Sequence, residues 1–352
     1  MQKPAKFVDP GPLIGKRYLM SDMVGQNVMR FLNERIEDKP YALRWGFPTL
    51  DSTTIPMFPG QLCLVVACSG HGKSTMLDYF TRVTAEKYMA PPPVPSDRQR
   101  IVLHVTGEEN VERKFISIMA DMDADMRAIA SGNLHPDVLA DCALKVQGYP
   151  IAYIGLTGTK SGTYNLSDPS GGYGGITVDL IAQTIYQIDK GGEFVVGAVV
   201  VDYAQALYTG DPDIDNEEVR RVATVSDQLL GLANWCNAVV VAGAQANMEK
   251  VESRPHTNRL PLMRDVFYSS RLPMRSDIVL AQTIPVKNEK DDGTLPPPFK
   301  RGGKPDIPVS PSLMLLRNNK WRNCPSGLVI PLDLGGGKYP GARAFGRIQE
   351  VP

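Results

Sequence analysis

From Gly60 onward, short unbroken apolar runs alternate with segments whose apolar residues recur every three to four positions. The runs are Leu62 to Val66, Ile101 to Val105, Val195 to Val201, Ala238 to Ala242, Ile278 to Ala281 and Leu313 to Leu316. Unbroken rather than alternating runs are what strands of a parallel sheet become when both faces are covered, and the helical segments supply the crossovers. One such segment carries Val219, Val222, Leu229, Leu230 and Ala233 behind Asn216, with Glu217 and Glu218 in its first turn, where acidic residues favour a helix start. The pattern predicts a three-layer α/β domain with a mostly parallel sheet over residues 45–352. Before it, Ser21 and the spacing of Val24, Val28, Phe31 and Leu32 predict a tail and one short amphipathic helix within residues 1–44. So short a helix is marginal alone, so its stripe must dock on its own domain or on a neighbouring subunit.

Three stretches read as surface insertions: Ala90 to Asp97 with four prolines, Thr157 to Gly175 rich in Gly, Ser and Tyr, and Lys287 to Pro311 mixing charge, Pro and Gly. The chain has 352 residues, 43% of them apolar, enough to bury a large core. Its 38 Lys and Arg balance 38 Asp and Glu. That excludes a uniformly basic DNA-coating protein but leaves local basic strips open. Five scattered cysteines without a C-x-x-C pair suggest neither a disulfide framework nor a zinc site, and they fit a reducing cytoplasm. No stretch reaches the roughly 18 uncharged apolar residues of a membrane span, and the start lacks a secretory signal's apolar core.

The sharpest chemical signal is Ala67-Cys68-Ser69-Gly70-His71-Gly72-Lys73-Ser74, with a strand pattern before it and Thr75 and a helix carrying Met76, Leu77, Phe80 and Val83 after it. This is a phosphate-binding loop in its required context, with Ala67 in place of the first glycine. Its N–H groups and the helix start cradle phosphate, Lys73 reaches the β- and γ-phosphates, and the Ser74 hydroxyl holds Mg²⁺. Ser69 to Thr75 are therefore the predicted nucleotide contacts, with His71 at a variable, solvent-facing position. Asp202 ends the run Ala198 to Val201. An Asp there also serves as a cap or turn residue, but the phosphate loop upstream favours the metal-side acid. Glu108 and Glu109 follow the run at Ile101, at the strand end where open α/β sheets bind ligands, and one of them can deprotonate the attacking water.

These motifs carry a resemblance. Gly46-Phe47-Pro48-Thr49-Leu50-Asp51, Pro59-Gly60, the phosphate loop, Thr106-Gly107-Glu108-Glu109, Asp202-Tyr203-Ala204-Gln205, Gln245-Ala246-Asn247 and Lys320-Trp321-Arg322-Asn323-Cys324-Pro325-Ser326-Gly327 resemble, in content and order, those of the DnaB-type replicative helicases. The resemblance covers about residues 20 to 347. It implies a RecA-like P-loop NTPase fold and a ring, usually of six subunits, that hydrolyses ATP with Mg²⁺ between neighbours and moves on single-stranded DNA. By that resemblance Glu108 is the catalytic glutamate and Asp202 the metal-side aspartate. Gln245 senses the γ-phosphate and relays it to the DNA loops. Lys320 and Arg322 act in trans on the next subunit's ATP, Arg322 as the arginine finger. The helix from Ser21 to Ile36 becomes the linker that docks on the adjacent subunit. The family's N-terminal primase-docking domain has no counterpart in residues 1–40, so loading is expected to come from a separate partner, as in phage or mobile-element systems.

In this family nucleic acid is met by loops after the Gln245 strand. Between Lys250 and Arg275 the basic residues Lys250, Arg254, Arg259, Arg264, Arg271 and Arg275 outnumber the acids Glu252 and Asp265, a plausible phosphate-tracking strip. Where the family reads S-D-L-R-E-S-G, this chain reads Arg264-Asp265-Val266-Phe267-Tyr268-Ser269-Ser270, and Pro273, Met274 and Arg275 replace acids. Phe267 and Tyr268 either stack on bases or pack the loop. The rival reading is an ATPase that does not unwind and uses ATP as a switch with protein partners.

Overall fold

A computed structural model describes residues 29, 32–94, 97–120, 135–159, 162–165, 175–254, 259–285, 306–307, 310, 313–334 and 348–351. Its strands are β1 (Leu62–Ala67), β2 (Gln99–Asn110), β3 (Ile151–Thr159), β4 (Gly162–Asn165), β5 (Phe194–Asp202), β6 (Val239–Gln245), β7 (Ile278–Thr283), β8 (Leu313–Trp321), β9 (Val329–Asp333) and β10 (Gln349–Glu350). They form one sheet in the order β10-β9-β8-β7-β1-β6-β5-β2-β3-β4. From β7 across to β3 all neighbours are parallel, so β1 sits centrally and each of its residues is buried.

The helices are α1 (Pro48–Thr53), α2 (Lys73–Tyr88), α3 (Val111–Ala120), α4 (Pro136–Gln147), α5 (Val178–Gly191), α6 (Pro212–Asp215), α7 (Glu218–Cys236), α8 (Met248–Glu252) and α9 (Arg271–Arg275). Because side chains alternate along a strand, β1 feeds two cores. Leu62, Leu64 and Val66 pack with Ile181 and Ile185 of α5 and Val222, Val225 and Leu229 of α7. Cys63 and Val65 pack with Met76, Leu77 and Phe80 of α2 and with Trp45, Phe47 and Leu50 before β1. These are the three layers predicted from the apolar runs.

The structure corrects the strand reading in two places. Leu313 to Leu316 does begin a strand, but β8 runs antiparallel to β7 and β9 antiparallel to β8, so a hairpin closes this side of the sheet. The Thr157 to Gly175 stretch is not wholly a loop: β3 runs to Thr159 and β4 pairs back on it. Of the expected linker helix, only Met29 and its end lie among the described residues: Met29 and residues 32–38 are helical, with Met29, Leu32 and Ile36 exposed. Nearly all of Lys287 to Pro311 lies outside the described residues.

Several motifs are turn builders. Asp51 accepts hydrogen bonds from the N–H groups of Trp45 (3.2 Å) and Gly46 (2.8 Å), and Gly46 takes φ +82°, a conformation that favours glycine. The motif thus seats α1 before β1.

Candidate nucleotide-binding and hydrolysis site

The phosphate loop leaves β1 at Ala67 and enters α2 at Lys73. Gly70 and Gly72 take φ +75° and +82°, which curls the chain toward a phosphate cradle. Ser69 and Gly70 are exposed, while Lys73, Ser74 and Thr75 are half-buried. His71 departs from expectation. Its side chain is 4% exposed, because the end of β7 closes over it: its Nδ1 accepts from the Ile284 N–H at 3.2 Å and lies 3.0 Å from the Thr283 hydroxyl. The Gln282 amide donates to the His71 carbonyl at 2.9 Å. His71 therefore fastens the loop to a neighbouring strand instead of facing solvent.

Asp202 ends β5 two strands away, on the same edge of the sheet. Its Oδ1 receives Lys73 Nζ at 3.1 Å, and it also accepts a hydrogen bond from Ser74. Lys73 Nζ lies 3.8 Å from the centre of the Tyr203 ring. A Cβ at Gly243 of β6 would come within 2.9 Å of Lys73 Cδ, so glycine there leaves the lysine its path. Glu108 lies on the same edge, since Thr106 pairs in register with Asp202; its side chain is outside the described residues.

The residue that sequence reasoning missed is Lys114, in α3. It is fully buried, with Nζ 2.6 Å from Asp202 Oδ2, 3.5 Å from Asp78 Oδ1 and 3.3 Å from Glu109 Oε2. Burial would raise Asp202, but Lys73 and Lys114 outweigh it and hold the carboxyl far below its ordinary range. Burial would lower Lys114, but Asp78 and Asp202 hold it raised. Asp78, bonded by Ser117 at 2.7 Å, is pushed up to about 6 by burial. His104 on β2 is pushed down to about 3 by burial and then by Lys114.

Ser74 and Asp202 offer oxygen donors that suit Mg²⁺, which takes one or two protein oxygens plus substrate phosphates and not an all-protein cage. Among the described residues no group of three His, Cys, Asp or Glu makes such a cage. The residues fit a magnesium nucleotide.

Gln205 grips Gln245 by its main chain: its amide donates to the Gln245 carbonyl and accepts the Gln245 N–H, both at 3.2 Å. That carbonyl also accepts the Phe267 N–H at 2.8 Å, so the Asp202 segment, the end of β6 and the aromatic loop form one chain of bonds.

The predicted basic strip divides. Arg254 is ion-paired with Asp265, and Arg259 donates to the carbonyls of Arg254 (3.3 Å) and Glu252 (3.1 Å). Arg271 and Arg275 both reach Asp227 of α7, at 3.1 and 2.6 Å. Arg264 is exposed. Phe267 is half-buried and meets the exposed Tyr268 edge to face at 4.1 Å.

Lys320 and Arg322 lie at the opposite edge of the sheet. Trp321 pairs with Ile278, and Ile278 with Cys63 at the start of β1. Arg322 Nη1 is 3.2 Å from Asp277 Oδ1, and Asp277 Oδ2 accepts the Leu62 N–H at 3.0 Å. Lys320 donates to the carbonyls of Pro273 and Met274 at 3.1 and 2.9 Å. Arg322, one residue past Trp321, is therefore about 17 Å along the strand from Ala67 at roughly 3.3 Å per residue, and Lys320, which pairs with Val279 and through it with Leu64, about 10 Å; both also lie two strands to the side of β1.

The sheet order, the phosphate loop and the facing Asp202 define a RecA-like P-loop ATPase domain. The family model of the DnaB-like helicase C-terminal domain matches residues 42–294, and the chain belongs to that family. Among solved structures, the ATPase domain of G40P aligns with a TM-score of 0.65 at 16% identity, covering 93% of this chain and 98% of that one. A DnaB-like replicative helicase, described with its interactions with primase, aligns with a TM-score of 0.64 at 16% identity, covering 93% of this chain and 66% of that one. No curated protein sequence matches the chain. Among the described residues no helix is long and apolar enough to cross a membrane.

Proposed function

We propose that this chain is the motor of a replicative-type DNA helicase: a ring, six-membered in the family's manner, that hydrolyses ATP at subunit interfaces and moves along single-stranded DNA to unwind duplex. The observation that carries this reading is the separation of Arg322 and Lys320 from their own phosphate loop. Cations at the far edge of the sheet, Arg322 about 17 Å along the strand from its own loop, serve a γ-phosphate across a subunit boundary, which makes hydrolysis depend on the neighbour. The exposed stripe of Leu32 and Ile36 (47% and 70%) supports a second contact with that neighbour through the helix at 32–38.

In this reading the loop amides and Lys73 bind the β- and γ-phosphates, and Ser74 and Asp202 hold Mg²⁺. When bound, that ion neutralises phosphate charge. Glu108 takes the proton of the attacking water. Arg322 of the adjacent subunit stabilises charge on the transferring phosphoryl group. Gln245 reads the γ-phosphate and passes its position to Phe267 and Tyr268 through the shared main-chain bonds. Arg264 and Tyr268, both exposed on this strip, contact DNA first. Arg254, Arg259, Arg271 and Arg275 shape the loops through their own partners and add positive potential.

The test is steady-state ATP hydrolysis at fixed salt, with and without single-stranded DNA, on the wild type and on Arg264→Ala/Tyr268→Ala. Stimulation by DNA that disappears in the variant is the expected result. The engagement of four of the strip's arginines with protein partners favours the rival reading, an ATP switch acting on proteins. Rates indifferent to DNA in both proteins would select it and overturn the motor.

A further inference from the structure

Lys73 meets two demands. Its ammonium rests on Asp202 Oδ1 at 3.1 Å, yet nucleotide binding requires it to turn to the phosphates. Asp202 is 1% exposed, so a departing Lys73 would leave a buried carboxylate with no cation unless another stays behind, and an uncompensated buried charge is strongly unfavourable. Lys114 is that second cation. It is 0% exposed, stands on α3 and sits 2.6 Å from Oδ2, the carboxylate oxygen that Lys73 does not hold. It is fixed in place by Asp78 at 3.5 Å and Glu109 at 3.3 Å. Ser117, one turn along α3, donates to Asp78 at 2.7 Å and holds that counterion still.

Resting on the nucleotide-site reading above, we propose that Lys114 is a positioning residue that occupies Asp202 Oδ2 permanently, so that Lys73 is free to transfer from Oδ1 to the nucleotide even before Mg²⁺ is bound. Lys114 is assigned no contact with the nucleotide. It acts through Asp202, aiming Oδ1 at the loop and keeping the carboxylate compensated while Lys73 moves. It also couples the site to Glu109, whose neighbour in the chain is Glu108. Without Lys114, Asp202 competes with phosphate for Lys73, and only Mg²⁺ relieves that competition.

The experiment is equilibrium binding of a ribose-labelled fluorescent ATP, read by anisotropy, in excess Mg²⁺ and in EDTA. The quantity read is the ratio of the two dissociation constants. Wild type should lose less than about a hundredfold on removing Mg²⁺. Lys114→Met should enlarge that ratio at least roughly tenfold, the loss falling on the EDTA arm. Lys114→Met strands two acids, so Asp78→Asn/Lys114→Met is made beside it. That variant removes one acid together with the cation, and thermal unfolding verifies that each protein is folded. Its ratio should be enlarged like that of Lys114→Met. Asp78→Asn alone leaves Lys114 on Asp202 and should keep the wild-type ratio. Equal ratios in all four proteins, or an equal enlargement in Asp78→Asn alone, would overturn the proposal. So would a wild-type loss well above a hundredfold, a result that needs no variant to fold. Lys73→Ala separates the two readings. If wild type binds with Mg²⁺ and Lys73→Ala does not, the nucleotide site stands and the ratios judge Lys114. If wild type fails to bind even with Mg²⁺, the nucleotide site itself falls, and this inference with it.

Discussion

His104 and Asp78 face each other at 3.8 Å inside the protein, and their contributions to stability change with pH in opposite directions. His104 is held down at about 3, first by burial and then by the Lys114 ammonium, while an unfolded histidine titrates near 6.5. The unfolded chain therefore binds the extra proton between pH 6.5 and 3, and stability is lost as pH falls through that window. Asp78 is raised to about 6 by burial, against the pull of Lys114 and Ser117. The folded carboxyl takes its proton first, so stability is gained as pH falls from 6 to the ordinary carboxylate value. From pH 7 to pH 5 these values give a loss of about 2 kcal/mol from His104 and a gain of about 1 kcal/mol from Asp78. In the wild type they offset each other in part, leaving a net loss of about 1 kcal/mol. His104→Leu should remove the loss, shifting the pH 7 to 5 stability change by about +2 kcal/mol relative to wild type, and Asp78→Asn should shift it by about −1 kcal/mol. Urea unfolding at the two pH values, followed by tryptophan fluorescence and circular dichroism, measures both; groups shared with the wild type drop out of the comparison. A His104→Leu protein whose pH 7 to 5 change equals that of wild type within about 0.5 kcal/mol would refute a neutral, buried imidazole.

Lys73→Ala should abolish ATP hydrolysis in a coupled phosphate-release assay, and retained turnover would remove the loop from the site. Arg322→Ala should lose hydrolysis by about a thousandfold with the fold retained, because the Arg322 side chain is more than half exposed and buried Asp277 keeps its hydrogen bond from the Leu62 N–H. Mixed with Glu108→Gln protein it should regain part of the rate, and no recovery in rings shown to exchange subunits would end the trans assignment. Gly243→Ala places a methyl 2.9 Å from both Lys73 Cδ and Leu77 Cδ1, so nucleotide affinity should fall with the fold intact; unchanged affinity would show that Lys73 does not need that space. Gln205→Leu removes both bonds to the Gln245 main chain and should cost about 1–3 kcal/mol and blunt stimulation of the ATPase by DNA.

The parallel core of the sheet was legible because a strand covered on both faces carries an unbroken apolar run, as the centres of β1, β5, β6 and β7 do and as β2 does apart from His104. β3 escaped notice because Gly155, Gly158 and two threonines interrupt its run. β4 is four small or polar residues, β9 carries Pro331, and β10 is two residues long. Strand direction was not legible at β8: Leu313 to Leu316 reads like a parallel strand, and only its pairing with β7 reveals the hairpin that carries Lys320 and Arg322. His71 was misjudged for a related reason. Its burial comes from Thr283 and Ile284, more than 200 positions away, and loop chemistry says nothing about what packs over a loop.

Lys114 was hidden by its own helix, where Val111-Glu112-Arg113-Lys114 reads as a solvated charged turn. The clue lay in its partners. Asp78 stands one turn into α2 beside Met76, Leu77 and Phe80, at a position the helical period turns inward, and His104 interrupts the apolar run of β2. A polar group at a core position requires a partner, and an ionised one requires a charge. The buried acid Asp78 implies a buried cation beside it; His104 bonds to Thr81 and needs none. Lys73 is claimed by the nucleotide, so the cation has to come from the segment after β2. Lys114 is the residue of that segment which reaches both acids, with Asp202 88 positions further along the chain. Placing it required the fold, but the need for it was written in Asp78.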